Sequence, residues 1–342
     1  MSLALVGASL CFVASRREWW PFASRYHTAV PAAYSTLTAA DLVRMTDAQL
    51  ERMDPLAMNL IVARELPPLR ELDIGRYSAT VDEWTRQIDE GNRALEPTSK
   101  SDPTYRVSRQ FWMAGGMAVA LAGPRFGIRY TIQAIDEGNP AQQFVYGVID
   151  TKMGTCASMP VLYLAIAHRL GWPLKAVVSK DHMWTRWDDG VPKERGGQRF
   201  NLEATNSKSD GAWGSFSSPS DDEYARWLGT PQKVIDSGSD FTSLTARQTL
   251  GVYLQGGAAW WLSHGQEPRA AEDLQLAVAC FPKNVDIQRM LAHATGKDRT
   301  PGWHRGGSVQ TVDAERINRQ NQEALRRLTE APGPSPAAPP PY

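Results

Sequence analysis

The stretch 153–171 constrains the fold more than any other part of the chain. Apolar residues recur at helical spacing through its second half, which predicts an amphipathic helix with a broad buried face. Pro160 fits only the first turn of such a helix, where no backbone hydrogen bond is lost. Gly171 is the residue type that ends helices. We therefore expect a helix over 157–170 with Cys156 at its N-terminal end.

A cysteine in that place lies among backbone N–H groups that have no intrahelical partner, at the positive end of the helix dipole. This setting stabilises the thiolate, which is the nucleophilic form. The N–H groups of residues 156 and 157 could also stabilise an oxyanion. A lone cysteine is more often an inert apolar side chain, so a nucleophile needs a base within reach. The run 174–182 spans about 30 Å if extended, against about 21 Å for the helix, and can return His182 to the helix start.

A second strand is predicted over 199–205, after a polar loop. If the two strands form a hairpin centred on that loop, Trp187 faces Gln198 and His182 faces Glu203. Because side chains alternate along a strand, the imidazole and the carboxylate then share one face. A thiol, an imidazole and an orienting carboxylate converge in this arrangement, in the order of a catalytic triad.

Four motifs in this region resemble those of the transglutaminase-like superfamily. They are Gly-x-Cys-x-Ser-x-x-x-Leu-Tyr from Gly154, Arg-Leu-Gly-x-Pro from Arg169, His-x-Trp from His182 and Asn-Leu-Glu-Ala-Thr from Asn201. The resemblance is nearest to the bacterial branch with a helical N-terminal segment and a tetratricopeptide-like C-terminus. It covers residues 140–210 well, and 40–140 and 245–295 loosely.

The resemblance implies an α+β fold with a papain-like core, in which a helix bearing the cysteine packs on a small antiparallel sheet. A helical N-terminal segment and a C-terminal helical hairpin complete it. Carried onto this chain, Cys156 matches the nucleophile, His182 the base and Glu203 the acid. The family more often has Asp followed by Pro at the acid, where this chain has Glu203 and Ala204. The side chain is one methylene longer than usual.

Trp184 and Asn201 are the predicted substrate-binding residues. Trp184 could wall the cleft or belong to the core. Asn201 is also the rival to Glu203 as the imidazole's orienting group, since an amide does this in papain-like enzymes. Glu203 fits the hairpin register better. Gln142 or Gln143 could donate a hydrogen bond to an oxyanion, although a surface amide is the commoner role.

These residues predict cysteine-dependent acyl transfer, most simply hydrolysis of amide bonds in a protein or peptide substrate. Acyl transfer from protein glutamine to amines, or a non-catalytic protein-binding scaffold with an idle triad, fits the same residues. A metal held by Cys156, His182 and Glu203 is a thinner alternative. We predict no metal and no cofactor.

The composition of the chain argues against a nucleic-acid-binding protein and against a disulfide- or zinc-stabilised one. Lys plus Arg equals Asp plus Glu at 37 each, so no net charge favours binding to nucleic acid. The three cysteines, Cys11, Cys156 and Cys280, are too few and too scattered for a disulfide framework or a zinc knuckle. We interpret Cys280 as a buried helix residue.

The ends of the chain differ from its middle. The apolar run 3–14 is too short to span a bilayer and has the length of a signal-peptide core, but no Lys or Arg precedes it. If it is a signal or an anchor, the protein is secreted, periplasmic or membrane-tethered; otherwise it is cytoplasmic. Membrane contact is expected only there. The predicted segments are 1–36 (signal or anchor and linker), 37–230 (catalytic domain), 245–295 (tetratricopeptide-like hairpin packed on it) and 299–342 (irregular, proline-rich, disordered tail).

Overall fold

A computed structural model describes residues 32–131, 135–180, 182–205 and 217–297. The apolar run 3–14, Cys11 and the tail 299–342 lie outside the described residues. The described chain is a mixed helix and sheet fold, as expected for the α+β class.

The helices have the following bounds: α1 Ala39–Arg44, α2 Asp47–Leu50, α3 Pro55–Arg64, α4 Ile74–Leu95, α5 Pro103–Val107, α6 Arg109–Ala122, α7 Pro140–Gln143, α8 Val145–Thr151, α9 Met159–Leu170, α10 Asp221–Leu228, α11 Gln232–Asp236, α12 Ala246–Ser263, α13 Glu267–Cys280 and α14 Val285–Ala294. The strands are β1 Arg129–Tyr130, β2 Met153–Gly154, β3 Leu174–Ser179, β4 His182–Asp188 and β5 Arg199–Leu202.

The N-terminal helices begin where the sequence supplies a cap. The side chain of Thr38 caps α1 and that of Asp54 caps α3. The helix α4 begins at Ile74, because the Asp73 side chain accepts a hydrogen bond from the backbone N–H of Arg76 and caps the first turn.

The helix α9 lies in the middle of the core, and residues 161–167 are all buried. It packs against α3, α4, α8 and the strands β3 and β4. Gly171 ends it in the left-handed conformation with φ of 68°, as predicted. The predicted N-terminal boundary was wrong by two residues, because the helix begins at Met159 rather than at residue 157.

The fully buried guanidinium of Arg169 ties α9 to the N-terminal helices. It lies 3.0 Å from the Asp54 carboxylate, donates to Asp82 at 2.5 Å, and donates to the Ser78 hydroxyl at 3.0 Å. A buried charge of this kind is tolerated only when it is paired and hydrogen-bonded. The network therefore fixes how α3 and α4 lie against α9.

The main sheet has the antiparallel order β3-β4-β5. The prediction of one extended run over 174–182 was wrong. The chain reverses between Ser179, the last residue of β3, and His182, the first residue of β4, and these two residues pair next to the hairpin turn. The strand β3 still spans the distance back along α9. His182 thus begins β4 near the start of α9.

The register of the second hairpin differs from the prediction by two residues. Trp187 pairs with Phe200, not with Gln198. The backbone N–H of Gln198 donates instead to the Asp189 carboxylate at 2.9 Å, which makes Gln198 part of the loop. A shift of two residues keeps every side chain on its face of the sheet, whereas a shift of one would reverse it.

The C-terminal helices pack on the rest of the molecule. One cluster of buried apolar residues extends from Ala39 to Met290 and includes α12, α13 and α14. Arg247 on α12 donates to the backbone oxygen of Val43 at 3.0 Å. Cys280 is buried, as predicted. Among the described residues, no helix has the length and apolar character needed to cross a bilayer.

Candidate functional site

Cys156 lies in the turn that joins β2 to α9. Thr155 holds this turn at several points: its hydroxyl donates to the backbone oxygen of Gln142 at 2.6 Å, and its own carbonyl accepts the N–H of Met159 at 3.0 Å. The Thr155 N–H donates to the Ser158 hydroxyl at 3.0 Å. The cysteine is therefore presented by a pinned turn before the helix, and not by the first helical turn.

The surroundings of this turn bear on where an oxyanion could bind. The N–H of Ala157, one of the two predicted backbone donors, donates to the Thr155 hydroxyl at 3.1 Å. The Gln142 side-chain oxygen accepts the N–H of Asp136 at 2.8 Å. Gln142 is thus anchored beside the cysteine turn through both its backbone and its side chain. The Gln143 side-chain oxygen lies instead close to Gly256 of α12.

The imidazole of His182 joins the other two predicted catalytic residues. Its Nε2 lies 2.8 Å from Oε2 of Glu203. The side chain of Cys156 is also hydrogen-bonded to His182. Because Nε2 is bonded to Glu203, Nδ1 is the ring nitrogen that remains for exchange of a proton with the thiol. Cys156, His182 and Glu203 are 8%, 9% and 3% exposed, so the whole array is shielded from bulk water.

The Glu203 carboxylate accepts four hydrogen bonds. Oε1 accepts from the backbone N–H and the hydroxyl of Thr205, at 2.8 and 2.7 Å. Oε2 accepts from the Tyr224 hydroxyl at 2.7 Å, in addition to the bond with His182. The sequence predicted no role for Thr205, although it lies in the motif around the acid. Tyr224 was missed because nothing in its spacing connects α10 with Glu203.

Charge within the site determines the protonation of the pair. Burial disfavours the imidazolium, but the Glu203 carboxylate and the hydrogen bond with Cys156 outweigh it and raise the pKa of His182 to about 10. Burial also disfavours the carboxylate, but the charge of His182 and the hydrogen bonds from His182, Tyr224 and Thr205 lower the pKa of Glu203 to about 2. The site therefore favours an imidazolium beside an ionised carboxylate.

Trp184 and Asn201, the predicted substrate-binding residues, lie behind the imidazole. Trp184 has no exposed surface, and its ring stacks on that of His182 with centroids 5.8 Å apart. The Trp184 Nε1–H donates to Oδ1 of Asn201 at 3.2 Å, and Arg186 donates to the same oxygen at 2.7 Å. Glu203, not Asn201, holds the imidazole. A side chain with no exposed surface cannot wall a cleft, so Trp184 supports His182 from the interior.

Tyr130 on β1 is a further residue near the site. It pairs with Gly154, two residues before the cysteine. Burial, followed by the negative charge of Cys156 and Glu203, raises the pKa of the Tyr130 phenol. No sequence motif includes Tyr130, so no role was predicted for it.

Within the ranges that the structure describes, no three His, Cys, Asp or Glu side chains are grouped so that they could hold a metal ion. Cys156, His182 and Glu203, which we call the catalytic row, are linked in that order: Cys156 is hydrogen-bonded to His182, and His182 to Glu203.

Comparisons of the chain with protein-family models, with curated proteins and with solved structures gave no match. We therefore take the function from the chemistry of the row formed by Cys156, His182 and Glu203.

Proposed function

We propose that this protein is a transglutaminase-like cysteine hydrolase that cleaves amide or peptide bonds through Cys156, His182 and Glu203. The observation that carries the proposal is an imidazole held between a thiol and a fully hydrogen-bonded carboxylate. This order of groups is what a cysteine nucleophile with an oriented base requires. The cysteine turn before a buried helix, packed on an antiparallel sheet that bears the base and the acid, supports assignment to a papain-like core.

The first half of the reaction transfers an acyl group to sulfur. Before the substrate binds, the proton of the Cys156 thiol has already passed to His182, since the site favours the imidazolium. The resulting thiolate attacks the carbonyl carbon of the scissile amide. The tetrahedral intermediate collapses as the imidazolium gives its proton to the leaving amine. The products of this half are the free amine and a thioester on Cys156. Glu203 stays ionised and stabilises the imidazolium during both proton transfers.

The second half releases the acyl group. His182 removes a proton from water, the resulting hydroxide attacks the thioester carbonyl, and Cys156 leaves as a thiolate beside the imidazolium, which restores the starting pair. The net reaction is hydrolysis to a carboxylic acid. An amine in place of water would give acyl transfer by the same steps, so the acceptor is an experimental question with two defined outcomes.

Site-resolved alkylation with iodoacetamide at pH 6 tests the nucleophile. Cys156 should react about a hundredfold faster than Cys280 of the same molecules, since burial raises the pKa of the Cys280 thiol whereas the Cys156 thiol is hydrogen-bonded to His182. His182→Ala should remove most of that difference. Mass spectrometry of each cysteine peptide makes Cys280 and Cys11 internal references.

Equal alkylation rates at Cys156 and Cys280, unaffected by His182→Ala, would contradict the proposed enzymatic function and favour a scaffold with an idle triad. A fluorogenic peptide and thioester library then identifies the substrate, with Cys156→Ala as the inactive variant and Cys280→Ala as its matched control. Turnover that survives in Cys156→Ala would also contradict the proposal. Adding a primary amine separates hydrolysis from transfer, because only transfer incorporates the amine into the product.

A further inference from the structure

Tyr224 makes two separate contacts with the catalytic row. Its hydroxyl donates to Oε2 of Glu203 at 2.7 Å, on the same oxygen that contacts His182. Its ring stacks on Trp184 with centroids 4.2 Å apart and an interplanar angle of 16°. Trp184 in turn stacks on His182. One buried side chain thus contacts the acid through its hydroxyl and the base through its ring, whose centroid lies 6.0 Å from that of the His182 ring.

The helix that carries Tyr224 is fixed to the sheet independently of the catalytic row. Ser220 caps α10 with a capping box, and Asp221 in its first turn accepts hydrogen bonds from Arg186 of β4 and from Asn201 of β5, the latter at 2.8 Å. Arg186 has no exposed surface, so this ion pair is shielded on the strand side. The anchoring gives the Tyr224 hydroxyl a defined position relative to β4 and β5.

Apart from His182 itself, the other hydrogen-bond donors to Glu203 are both on Thr205 and cannot fix the position of the carboxylate relative to β4. Thr205 is two residues further along the chain, so its N–H and hydroxyl move together with Glu203. Glu also has one more rotatable bond than Asp, and its carboxylate has more freedom to turn away from an imidazole. Oε2 is the only one of the two oxygens that contacts His182 within the described residues. A donor from a separate element is therefore needed to hold that oxygen in place.

We infer that Tyr224 is a positioning residue of the proposed cysteine hydrolase: its hydroxyl holds the Glu203 carboxylate against His182, while its ring supports Trp184 behind the imidazole. The consequence for catalysis rests on the proposed function. The placement of the carboxylate is testable without any turnover.

Tyr224→Phe removes the hydroxyl and keeps the ring. If the hydroxyl positions Glu203, the carboxylate in this variant spends part of its time away from His182, and the histidine pKa measured by NMR of the labelled imidazole falls by at least about one unit towards 6.5. If the hydroxyl only disperses carboxylate charge, its loss makes Glu203 more basic and the pKa of His182 rises. A rise, or no change, overturns the proposal.

Tyr253→Phe is the matched control. Tyr253 is buried on α12, and its hydroxyl has no hydrogen-bond partner in the described part of the chain, so its removal should leave the His182 titration unchanged. Thr205→Val is a second control with a smaller expected effect, because the backbone N–H still donates to Oε1.

A double-mutant cycle on the Cys156 alkylation rate separates positioning from general damage to the fold. Tyr224→Phe should slow alkylation by about tenfold, the loss of one hydrogen bond to a charged group. In a Glu203→Gln background it should have little further effect, since the group it acts through has been neutralised. An equal slowing in both backgrounds would assign Tyr224 a structural role only. Absence of turnover in the wild type would refute the hydrolase and leave the NMR result to decide the positioning.

Discussion

Nε2 of His182 and Oε2 of Glu203 lie 2.8 Å apart although 21 positions separate the two residues. Asn201 lies on the same strand face and is excluded from this contact, because its amide is bonded to Trp184, Arg186, the carbonyl of Pro219 and Asp221. The orientation of the imidazole therefore depends on the charged carboxylate of Glu203. Substituting Glu203 and substituting Asn201 should have different effects on catalysis, which tests this assignment.

Glu203→Gln should slow Cys156 alkylation at pH 6 by up to about a hundredfold and peptide cleavage by about 10² to 10⁴-fold, because the amide no longer stabilises the imidazolium. The matched variant is Asn201→Ala, which removes the acceptor shared by Trp184 Nε1 and Arg186 Nε. It should lower the melting temperature but slow alkylation of the folded protein much less than Glu203→Gln, because Arg186 still pairs with Asp221 and holds α10. The reverse pattern, a large rate effect at Asn201 and a small one at Glu203, would identify the amide as the orienting group.

Much of the site could be predicted because it depends on short-range features. Pro160 and Gly171 mark the ends of one buried helix, and the strand that follows must return along it. The register error of two residues did not affect the predicted site, since a shift by an even number of residues leaves each side chain on the same face of the sheet. The face that Glu203 shares with His182 was therefore predicted from alternation alone.

The missed features depend on contacts between distant elements. The sheet is covered by a segment beyond residue 217: Phe241 donates its N–H to the carbonyl of Val178 at 2.9 Å and packs edge-on against Trp184. Strand alternation cannot tell whether such a cover exists, so the sequence left Trp184 undecided between the cleft and the core. The bond from Tyr224 to Glu203 likewise depends on where α10 lies, which no local pattern encodes.

Because His182 and Glu203 are coupled, the stability that they contribute should decrease both at high pH and at low pH. His182 has a folded-state pKa raised from 6.5 to about 10, so its contribution is fully present below about pH 6.5 and is lost as pH rises towards 10. Glu203 has a folded-state pKa lowered from 4.5 to about 2, so its contribution is present above about pH 4.5 and is lost as pH falls towards 2. The contribution of the pair is therefore largest between about pH 4.5 and 6.5.

Urea unfolding of the wild type and of the His182→Gln, Glu203→Gln double variant between pH 3 and 10 measures this contribution as a difference curve. The subtraction removes the pH dependence of all other groups. We expect the difference to be greatest near pH 5 to 6 and to shrink on both sides. A difference independent of pH would show that folding shifts neither pKa, and hence that His182 and Glu203 are not coupled in the folded protein.

Gly147 on α8 links backbone packing to the cysteine turn. A Cβ at this position would lie 1.9 Å from the backbone oxygen of Ala141 in α7, which has no freedom to rotate away. The next residue, Gln142, accepts the Thr155 hydrogen bond that pins the turn. Gly147→Ala should therefore destabilise the protein by about 1 to 3 kcal/mol and slow Cys156 alkylation, as measured on the folded fraction.

Gly91→Ala on α4 is the control for that substitution. Nothing lies within 4 Å of a Cβ at Gly91, and the residue is inside a helix, so alanine should stabilise by about 0.5 to 1 kcal/mol without changing alkylation. Equal effects of the two substitutions would mean that α7 accommodates a side chain at Gly147 and does not transmit strain to Cys156.

Asp273 on α13 should limit stability above neutral pH. Burial raises the pKa of its carboxyl from 3.8 to about 7, and the nearby Arg269 only partly offsets this. The folded state therefore keeps a proton that the unfolded state has lost, and stability falls as pH rises from about 4 to 7. Asp273→Asn should raise the melting temperature by several degrees at pH 8, with the gain disappearing below pH 4.

The neighbouring Glu272, whose side chain is 61% exposed, provides the control: Glu272→Gln should give no pH-dependent gain. If Asp273→Asn lowers the melting temperature at pH 8, the carboxylate has an ionised role in the packing of α12 and α13 that burial alone does not explain.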